Sequence, residues 1–262
     1  MRIAIPSYNR YESINNKSLR VLYDSGFDAN MIDLFVADKE QYKLYRKSVD
    51  KNINIIIGVK GLKNIRDFII NYYPENATLL CMDDDVEMIK MKNPNNEEAS
   101  CFKNELLNLR KEVENAFKIC EERGQHLWGL YPVDNHFYMK NEISHDYKFI
   151  IGNFFGLILN KRANRSYVEQ KGDYERSIRH YLLDGGVVRI NYLCAKTKFK
   201  KNTGGANETE FDRANKIIKD QDILIKYYPD LFYLKKKKDG LLNPVLKDSR
   251  RSRLELSSYI FD

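Results

Sequence analysis

Four short apolar segments alternate with helical patterns over the first third of the chain, and this alternation limits the fold more than any other feature. The segments between them carry apolar side chains at helical spacing. Strands that alternate with helices form a mainly parallel sheet with helices on its faces, so we predict an α/β fold of the Rossmann type. The predicted strands are residues 2–6, 32–37, 53–57 and 78–82, and the predicted helices are residues 12–26, 38–48 and 62–73.

The remaining two thirds of the chain continue this pattern less regularly. Predicted helices cover residues 104–123, 174–183 and 211–228, and predicted strands cover residues 126–132, 149–159 and 187–192. Residues 135–148 are polar, and we expect them to cover a cleft. The sequence shows no internal repeat and no linker, so we treat residues 1–262 as a single domain.

Composition excludes several classes of protein. Apolar residues make up 43% of the 262 residues and aromatic residues 12%, which supports a packed core and argues against disorder. No apolar run approaches the roughly 20 residues of a membrane span, and the N-terminus reads as a strand rather than a signal peptide. The four cysteines form no CxxC pair, which indicates a reduced, cytoplasmic protein without a zinc site. The net charge of +7 favours a polyanionic partner.

Three consecutive carboxylates, Asp83, Asp84 and Asp85, directly follow the fourth predicted strand. Adjacent negative charges repel one another, whereas hard cations such as Mg²⁺ and Mn²⁺ bind carboxylate oxygen and often bridge to phosphates. Ligands of parallel α/β sheets bind outside the carboxyl ends of the strands, which is where this run falls. The run therefore predicts a metal site with Asp83 and Asp85 as ligands. The alternative is an acidic cluster that caps a helix.

The turn after the first predicted strand lies at the same edge of the sheet. It carries Pro6, Ser7, Tyr8 and Arg10. The ring of Tyr8 is suited to stacking on a base, and the guanidinium of Arg10 is suited to pairing with phosphate. The alternative for this segment is an ordinary turn between a strand and a helix.

A glycine and two basic residues open the third predicted helix. Gly61 precedes the helix, and Lys63 and Arg66 lie in its first turns, which suits a diphosphate. The spacing of a P-loop is absent. The alternative is a solvated basic face.

An acidic pair, Asp173 and Glu175, lies at the start of the helix predicted over residues 174–183. Asp173 is a candidate general base that deprotonates an acceptor hydroxyl, and it is also a candidate N-cap of this helix. The four histidines show no metal-ligand spacing, so we expect them to be structural or part of a covering loop.

Basic residues cluster in the last quarter of the chain, and they are candidates for contact with a nucleic-acid backbone. The alternative is that each cluster is a solvated face. The candidates are Lys198, Lys200, Lys201, Lys235, Lys236, Arg250 and Arg251.

Four motifs occur in order along the chain, and together they resemble a known family. They are Ile-Pro-Ser-Tyr-x-Arg from residue 5, Gly-x-x-x-x-Arg-Asp-Phe from residue 61, the three aspartates from residue 83, and Gly-Asp-Tyr-Glu-Arg from residue 172. The set resembles nucleotide-sugar glycosyltransferases of the GT-A fold. More narrowly, it resembles the TET/JBP-associated glycosyltransferases of phages, large DNA viruses and the kinetoplastid base-J pathway. The resemblance covers roughly residues 2–90 and 150–207.

The resemblance implies a GT-A-like fold and transfer of a sugar from a nucleoside diphosphate, UDP by expectation, to a hydroxymethylated pyrimidine in DNA. One carboxylate base implies direct displacement, so we predict inversion at the anomeric carbon. It implies a cofactor, Mn²⁺ or Mg²⁺, and the host cytoplasm as location if the chain is phage-encoded. Residues 1–90 would bind the nucleotide sugar, residues 91–207 the acceptor, and residues 208–262 would form a helical, basic tail. The implied donor-binding residues are Pro6, Ser7, Tyr8, Arg10, Asp38, Gly61, Arg66, Asp83 and Asp84, with Asp83 and Asp85 at the metal.

The chain departs from the family pattern at two places. Gly172-Asp173 stands where many such enzymes have Glu-Asp, which leaves Glu175 as a substitute for Asp173 as base. No histidine follows His180, so a late metal-binding histidine is absent from the sequence. Two other functions remain: a GT-A glycosyltransferase acting on a glycan, lipid or protein, and a non-catalytic DNA-binding module.

Overall fold

The computed structural model describes residues 1–92, 107–197, 210–236 and 242–247. Several predictions from the sequence fall outside these ranges. They concern the start of the helix predicted from residue 104, and the basic residues Lys198, Lys200, Lys201, Arg250 and Arg251.

The described part of the chain contains seven α-helices and eleven strands. The helices are α1 (Ser18–Asp24), α2 (Lys39–Ser48), α3 (Leu62–Tyr72), α4 (Leu109–Arg123), α5 (Lys161–Asn164), α6 (Gly172–Asp184) and α7 (Glu210–Tyr227). The strands are β1 (Arg2–Pro6), β2 (Ile32–Val36), β3 (Asn54–Ile57), β4 (Thr78–Met82), β5 (Val86–Met91), β6 (Leu127–Tyr131), β7 (Ile143–Ser144), β8 (Phe154–Ile158), β9 (Val188–Thr197), β10 (Phe232–Lys236) and β11 (Leu242–Leu246). Among the described helices, none is both long and apolar enough to cross a membrane.

Nine of the described strands form one mixed sheet in the order β3-β2-β1-β4-β8-β6-β9-β5, with β7 paired to β9. The first four strands in this order run parallel to one another. β8 is antiparallel to both of its neighbours, so β6 runs in the same direction as β4. The carboxyl ends of β1, β4 and β6 therefore meet at one edge. This arrangement confirms the predicted α/β class.

Two apolar clusters cover the two faces of the sheet. Ile3 and Ile5 of β1 pack into the cluster that includes Val113 of α4, whereas Ala4 packs into the cluster that includes Ile65 of α3. Successive side chains of a strand point to opposite faces, and both faces are covered here, which explains why the predicted strands read as continuous apolar runs.

A third apolar cluster joins α6, α7 and β10, and it includes Ile178, Leu224 and Phe232. The described part of the region predicted as a helical, basic tail therefore also contributes a packed helix and the hairpin of β10 and β11. The hairpin was missed because Lys235 and Lys236 make its first strand read as a charged run.

Three other segments differ from the sequence-based predictions. The helix predicted over residues 12–26 is shorter, because a 3₁₀ turn at Ile14–Asn16 precedes α1. Residues 149–153 are not part of the predicted strand; they are an irregular segment that ends in a turn at residues 152–153 and leads into β8. β5 follows the three aspartates and was not predicted, since Glu87 and Lys90 interrupt its apolar pattern.

Candidate functional site

A cleft lies at the carboxyl ends of β1 and β4, between α3 and the start of α6. Three of the predicted donor-binding residues, Pro6, Arg66 and Asp83, line it. Much of the rest of its wall is apolar and includes Ile69 and Phe155. This is the edge at which open α/β sheets bind their ligands, so we take the cleft as the candidate active site.

Asp83 is the carboxylate of the acidic run that faces the cleft. About a third of its side-chain surface (34%) is exposed, and its Oδ1 lies 3.6 Å from Nη2 of Arg66. Burial raises the pKa of Asp83 to about 7, against the opposing effect of Arg66. The charged form of such a carboxylate is stabilised when a cation binds beside it.

Asp84 points away from the cleft into a buried network. Ser7 Oγ donates to Asp84 Oδ2 at 2.5 Å, and Arg10 donates to the other oxygen. The Tyr45 hydroxyl lies 2.5 Å from Ser7 Oγ and accepts the backbone N–H of Arg10. Both carboxylate oxygens are engaged and the residue is buried, so a contact of Asp84 with the donor would require this network to open. Ser7 is likewise occupied inside the protein.

Asp85 lies beside the same arginine, with Oδ2 at 3.1 Å from Arg10 Nη1. Arg10 therefore neutralises Asp84 and Asp85 instead of projecting toward the cleft. The acidic run leads into β5 rather than a helix, so the alternative of a helix-capping cluster is wrong.

The donor set of Asp83 and Asp85 suits a hard divalent cation, since both supply carboxylate oxygen. Among the described residues, no group of three or more His, Cys, Asp or Glu side chains converges on a metal position. A cation held here would therefore take further ligands from phosphate or water, as Mg²⁺ commonly does.

Three other predicted donor-binding residues, Tyr8, Asp38 and Gly61, follow the carboxyl ends of β1, β2 and β3. Lys60 Nζ lies 5.2 Å from the ring centroid of Tyr8, which connects the turn after β1 with the loop after β3. Gly61 precedes α3 with φ +102°, a conformation that glycine adopts without strain. Asp38 is exposed and caps α2, where it accepts the N–H of Gln41 at 2.8 Å.

Arg66 extends from α3 across the floor of the cleft. It packs over Gly152, where an added Cβ would lie 3.1 Å from Arg66 Nη2. The glycine in the turn before β8 therefore makes room for the guanidinium. No sequence pattern in residues 149–153 indicated this contact.

Asp173 lies inside the first turn of α6, not at its N-cap, which is Lys171. The N-cap alternative for Asp173 is therefore wrong. Its Oδ1 accepts the N–H of the next residue at 3.0 Å, and its neighbours Gly172 and Arg176 line the cleft. Asp173 therefore lies between residues of α6 that line the cleft, although its own side chain is not part of the lining.

Glu175 is fully buried and does not line the cleft. One of its oxygens accepts from Ser166 Oγ at 2.9 Å and from the backbone N–H groups of Tyr167 and Val168. To replace Asp173 as the catalytic base, Glu175 would have to leave these buried partners. Glu175 instead holds the segment that forms one wall of the cleft.

A second buried carboxylate, Asp220 of α7, holds the residues that follow this segment. It accepts the backbone N–H groups of Glu169, Gln170 and Lys171 at 2.6–2.9 Å. Sequence reasoning missed Asp220, because an aspartate within a charged helix carries no local signal for a contact 50 residues away.

The described part of the predicted nucleic-acid interface lies on the β10–β11 hairpin. Lys235 and Lys236 are exposed there, and Lys235 pairs with Asn243 across the hairpin. Asn243 contacts Lys171 and Tyr174 at the start of α6. The two lysines are thus on an element that borders the mouth of the cleft.

The sheet order and the cleft define an α/β protein with a GT-A-like fold. No protein-family model matches the chain, and no curated protein sequence matches it. Solved structures resemble it at low identity. The mannosyltransferase PcManGT from Pyrobaculum calidifontis, solved in complex with GDP-Man and Mn²⁺, has a TM-score of 0.54 and 12% identity, and the match covers 86% of this chain.

Two other solved structures extend the comparison. A mycobacterial protein has a TM-score of 0.50 and 8% identity, over 94% of this chain and 83% of its own. Residues 1–349 of S. aureus TarS match with a TM-score of 0.47 and 11% identity, over 87% of this chain and 73% of that one. The chain spans 64% of the length of PcManGT. At these identities the similarity establishes the fold alone.

Proposed function

We propose that the protein is a glycosyltransferase that takes a sugar from a nucleoside diphosphate, with UDP as the expected nucleotide. The observation that carries this proposal is that Asp83 and Arg66 line one cleft at the carboxyl edge of a GT-A-like sheet. Asp85 follows two residues after Asp83, and Asp173 is the neighbour of the cleft-lining Gly172. The fold is shared with PcManGT, whose structure contains GDP-Man and Mn²⁺, and this supports the same class of donor and cation.

The donor half of the site is suited to a leaving diphosphate. Asp83 and Asp85 are the residues that would hold Mn²⁺ or Mg²⁺, and the cation, when bound, offsets negative charge on phosphate oxygen. Arg66 contributes a positive charge at the floor of the cleft, where charge on the leaving group grows as the glycosidic bond breaks. Pro6 lines the cleft with Asp83 and Arg66, and Tyr8 follows it in the turn after β1; these two residues are the proposed contacts of the nucleoside.

The acceptor half supplies a base. Asp173 would remove the proton of the acceptor hydroxyl as its oxygen attacks C1 of the sugar, and such help is worth about 10²–10⁴-fold in rate. A single carboxylate at this side implies direct displacement, so we expect inversion at the anomeric carbon. A product with retained configuration would overturn this assignment.

The acceptor is proposed to be a hydroxymethylated pyrimidine in DNA, as in the TET/JBP-associated family. The net charge of +7 and the exposed Lys235 and Lys236 near the mouth support a polyanionic acceptor. A base within a duplex would have to flip out to reach the cleft, at a cost of a few kcal/mol. The described cysteines are all buried free thiols, which suits the reducing cytoplasm that we propose as location.

The donor assignment is tested by nucleoside diphosphate release from a panel of UDP-sugars with Mn²⁺. We expect release with the wild type, and a loss of about 100-fold or more in Asp85→Asn. Asp28→Asn serves as the matched control, because Asp28 is exposed and lies outside the cleft. Equal release from Asp85→Asn and the wild type would contradict the proposed donor site.

The acceptor assignment separates DNA from a glycan, lipid or protein. Binding through Lys235 and Lys236 to a DNA backbone predicts an affinity that falls steeply between low and physiological salt. An affinity that stays flat over this range would favour the other acceptors. Binding without any sugar release would favour the non-catalytic DNA-binding module.

A further inference from the structure

A second arginine of the cleft carries buried N–H groups that meet no hydrogen-bond acceptor in the described part of the chain. Arg176 lies on α6 and lines the cleft, and only 9% of its surface is exposed. Its Nε and Nη2 are buried, and no acceptor among the described residues meets either atom. The guanidinium carbon lies 3.7 Å from the ring centroid of Phe155, so one face of the group is packed while its N–H edge is unsatisfied.

This arrangement is costly for the protein alone. Burial lowers the pKa of Arg176 to about 10, and the nearby Arg66 is the second cause. Asp173 and Asp83 attract it, but no carboxylate of the described residues lies within ion-pair distance. Buried donors in native proteins are nearly always paired, and an unpaired one calls for an explanation.

Arg66 approaches the same space from α3. Its nearest carboxylate oxygen, on Asp83, is 3.6 Å away, and 28% of its side chain remains exposed. Two guanidinium groups that repel one another beside an apolar wall are both stabilised when an anion binds between them.

We propose that Arg66 and Arg176 form an anion-binding subsite on the inner wall of the cleft. The group it takes is an oxyanion of the donor, either a phosphate or a carboxylate on the sugar, since the guanidinium fork matches both. The proposal that the anion belongs to the donor rests on the proposed function. The subsite itself rests on the placement of the two arginines.

The test compares wild type with Arg176→Met, which keeps an unbranched, flexible side chain and removes the charge and the guanidinium. Arg20→Met is the matched control, because it removes the same charge from the exposed face of α1. Calorimetric titrations use inorganic pyrophosphate in metal-free buffer, and UDP-glucose and UDP-glucuronate with Mn²⁺. Arg176→Lys is a second variant, which keeps the charge but loses the fork.

A phosphate in the subsite predicts that Arg176→Met weakens pyrophosphate and both UDP-sugars by about tenfold or more. A sugar carboxylate predicts that pyrophosphate and UDP-glucose are unaffected, while the preference for UDP-glucuronate over UDP-glucose is lost. In either case Arg176→Lys should show an intermediate loss and Arg20→Met none.

Binding of all three ligands by Arg176→Met within twofold of the wild type would overturn the subsite, and so would a wild type that binds none of them. We also expect Arg176→Met to unfold at a higher temperature than the wild type, because an unpaired buried charge is removed. A lower unfolding temperature with unchanged affinities would assign Arg176 a packing role and contradict the proposal. If pyrophosphate binds through Arg176 but no sugar is transferred, the proposed function fails and the subsite stands.

Discussion

Neighbouring aspartates of the acidic run have different surroundings, and they should respond differently to the same substitution. Asp83→Asn removes a charge from the cleft, and we expect sugar transfer to fall about 100-fold or more with little change in stability. Asp84→Asn breaks a buried pair with Arg10, and we expect a loss of about 3 kcal/mol in the free energy of unfolding. Urea denaturation and initial rates measure the two effects separately. A stability loss in Asp83→Asn equal to that in Asp84→Asn would contradict the assigned environments.

Asp33 at the start of β2 provides a pH-dependent stability that is independent of the cleft. Burial would raise the pKa of Asp33, but hydrogen bonds from Arg2, Tyr73 and Asn54 together lower it. A lowered pKa in the folded state stabilises the fold above the unfolded value of about 4, and this contribution is lost as the pH falls through the folded value.

We therefore expect Asp33→Asn to reduce the free energy of unfolding by about 1–3 kcal/mol at pH 7, a range that allows for the partial exposure of Arg2. Urea denaturation of both proteins between pH 7 and pH 3 measures the difference. The difference in the free energy of unfolding between the two proteins should become smaller below about pH 4. A difference that becomes larger as the pH falls would contradict the stated direction of the pKa shift.

At the scale of the elements, β8 must pass close beneath Trp128 of β6. An added Cβ at Gly156 would lie 2.0 Å from Trp128 Nε1 and 2.7 Å from Phe117 Cζ, and both rings are buried. We expect Gly156→Ala to lower the free energy of unfolding by about 1–3 kcal/mol, by overpacking.

Gly172→Ala is the matched control, since its Cβ would meet only Ser166 Oγ at 3.6 Å. Thermal unfolding of both variants measures the effect. If Gly156→Ala is as stable as Gly172→Ala, the sheet accommodates the added Cβ without loss of stability, which would contradict the predicted overpacking.

Two buried carboxylates, Glu175 and Asp220, hold the segment between α5 and α6, and Asp220 is the one that lies far away in the sequence. Asp220→Asn replaces an acceptor of three backbone N–H groups with a neutral amide oxygen. We expect amide hydrogen exchange at residues 169–171 to accelerate and the free energy of unfolding to fall by about 1–3 kcal/mol. Asp222→Asn on the exposed face of α7 is the control, and equal exchange in the two variants would contradict the assigned contact.

The success of sequence reasoning depended on how local each signal was. β1 to β4 and α3 were predicted closely, because the spacing of apolar residues within each segment and the residues at its ends indicate the element without distant contacts. β5 was missed because its pairing with β9, more than 100 residues away, outweighs a mixed local pattern. Arg176 was part of a recognised motif, but its missing partner exists only in the folded molecule.

At the scale of the whole molecule, the parts of the cleft come from distant regions of the chain. Asp83 and Arg66 lie in the first third, Asp173 and Arg176 come more than 85 residues later, and Asp220 of α7 holds the segment before α6. The apolar cluster of α6, α7 and β10 is thereby connected to the acceptor side of the site. This connection supports our proposal that residues 1–262 act as one domain.

The central claim is that the protein transfers a sugar in this cleft. It is tested most directly by the change in mass of the acceptor nucleoside. DNA that contains hydroxymethylcytosine or hydroxymethyluracil is incubated with the protein, a panel of UDP-sugars and Mn²⁺, and its nucleosides are then analysed by mass spectrometry. We predict that the modified nucleoside gains the mass of one sugar with the wild type, and that the gain is lost with EDTA or in Asp83→Asn. The account would be contradicted by unchanged nucleoside masses across the whole panel, together with no release of nucleoside diphosphate in the presence of any acceptor or of water alone.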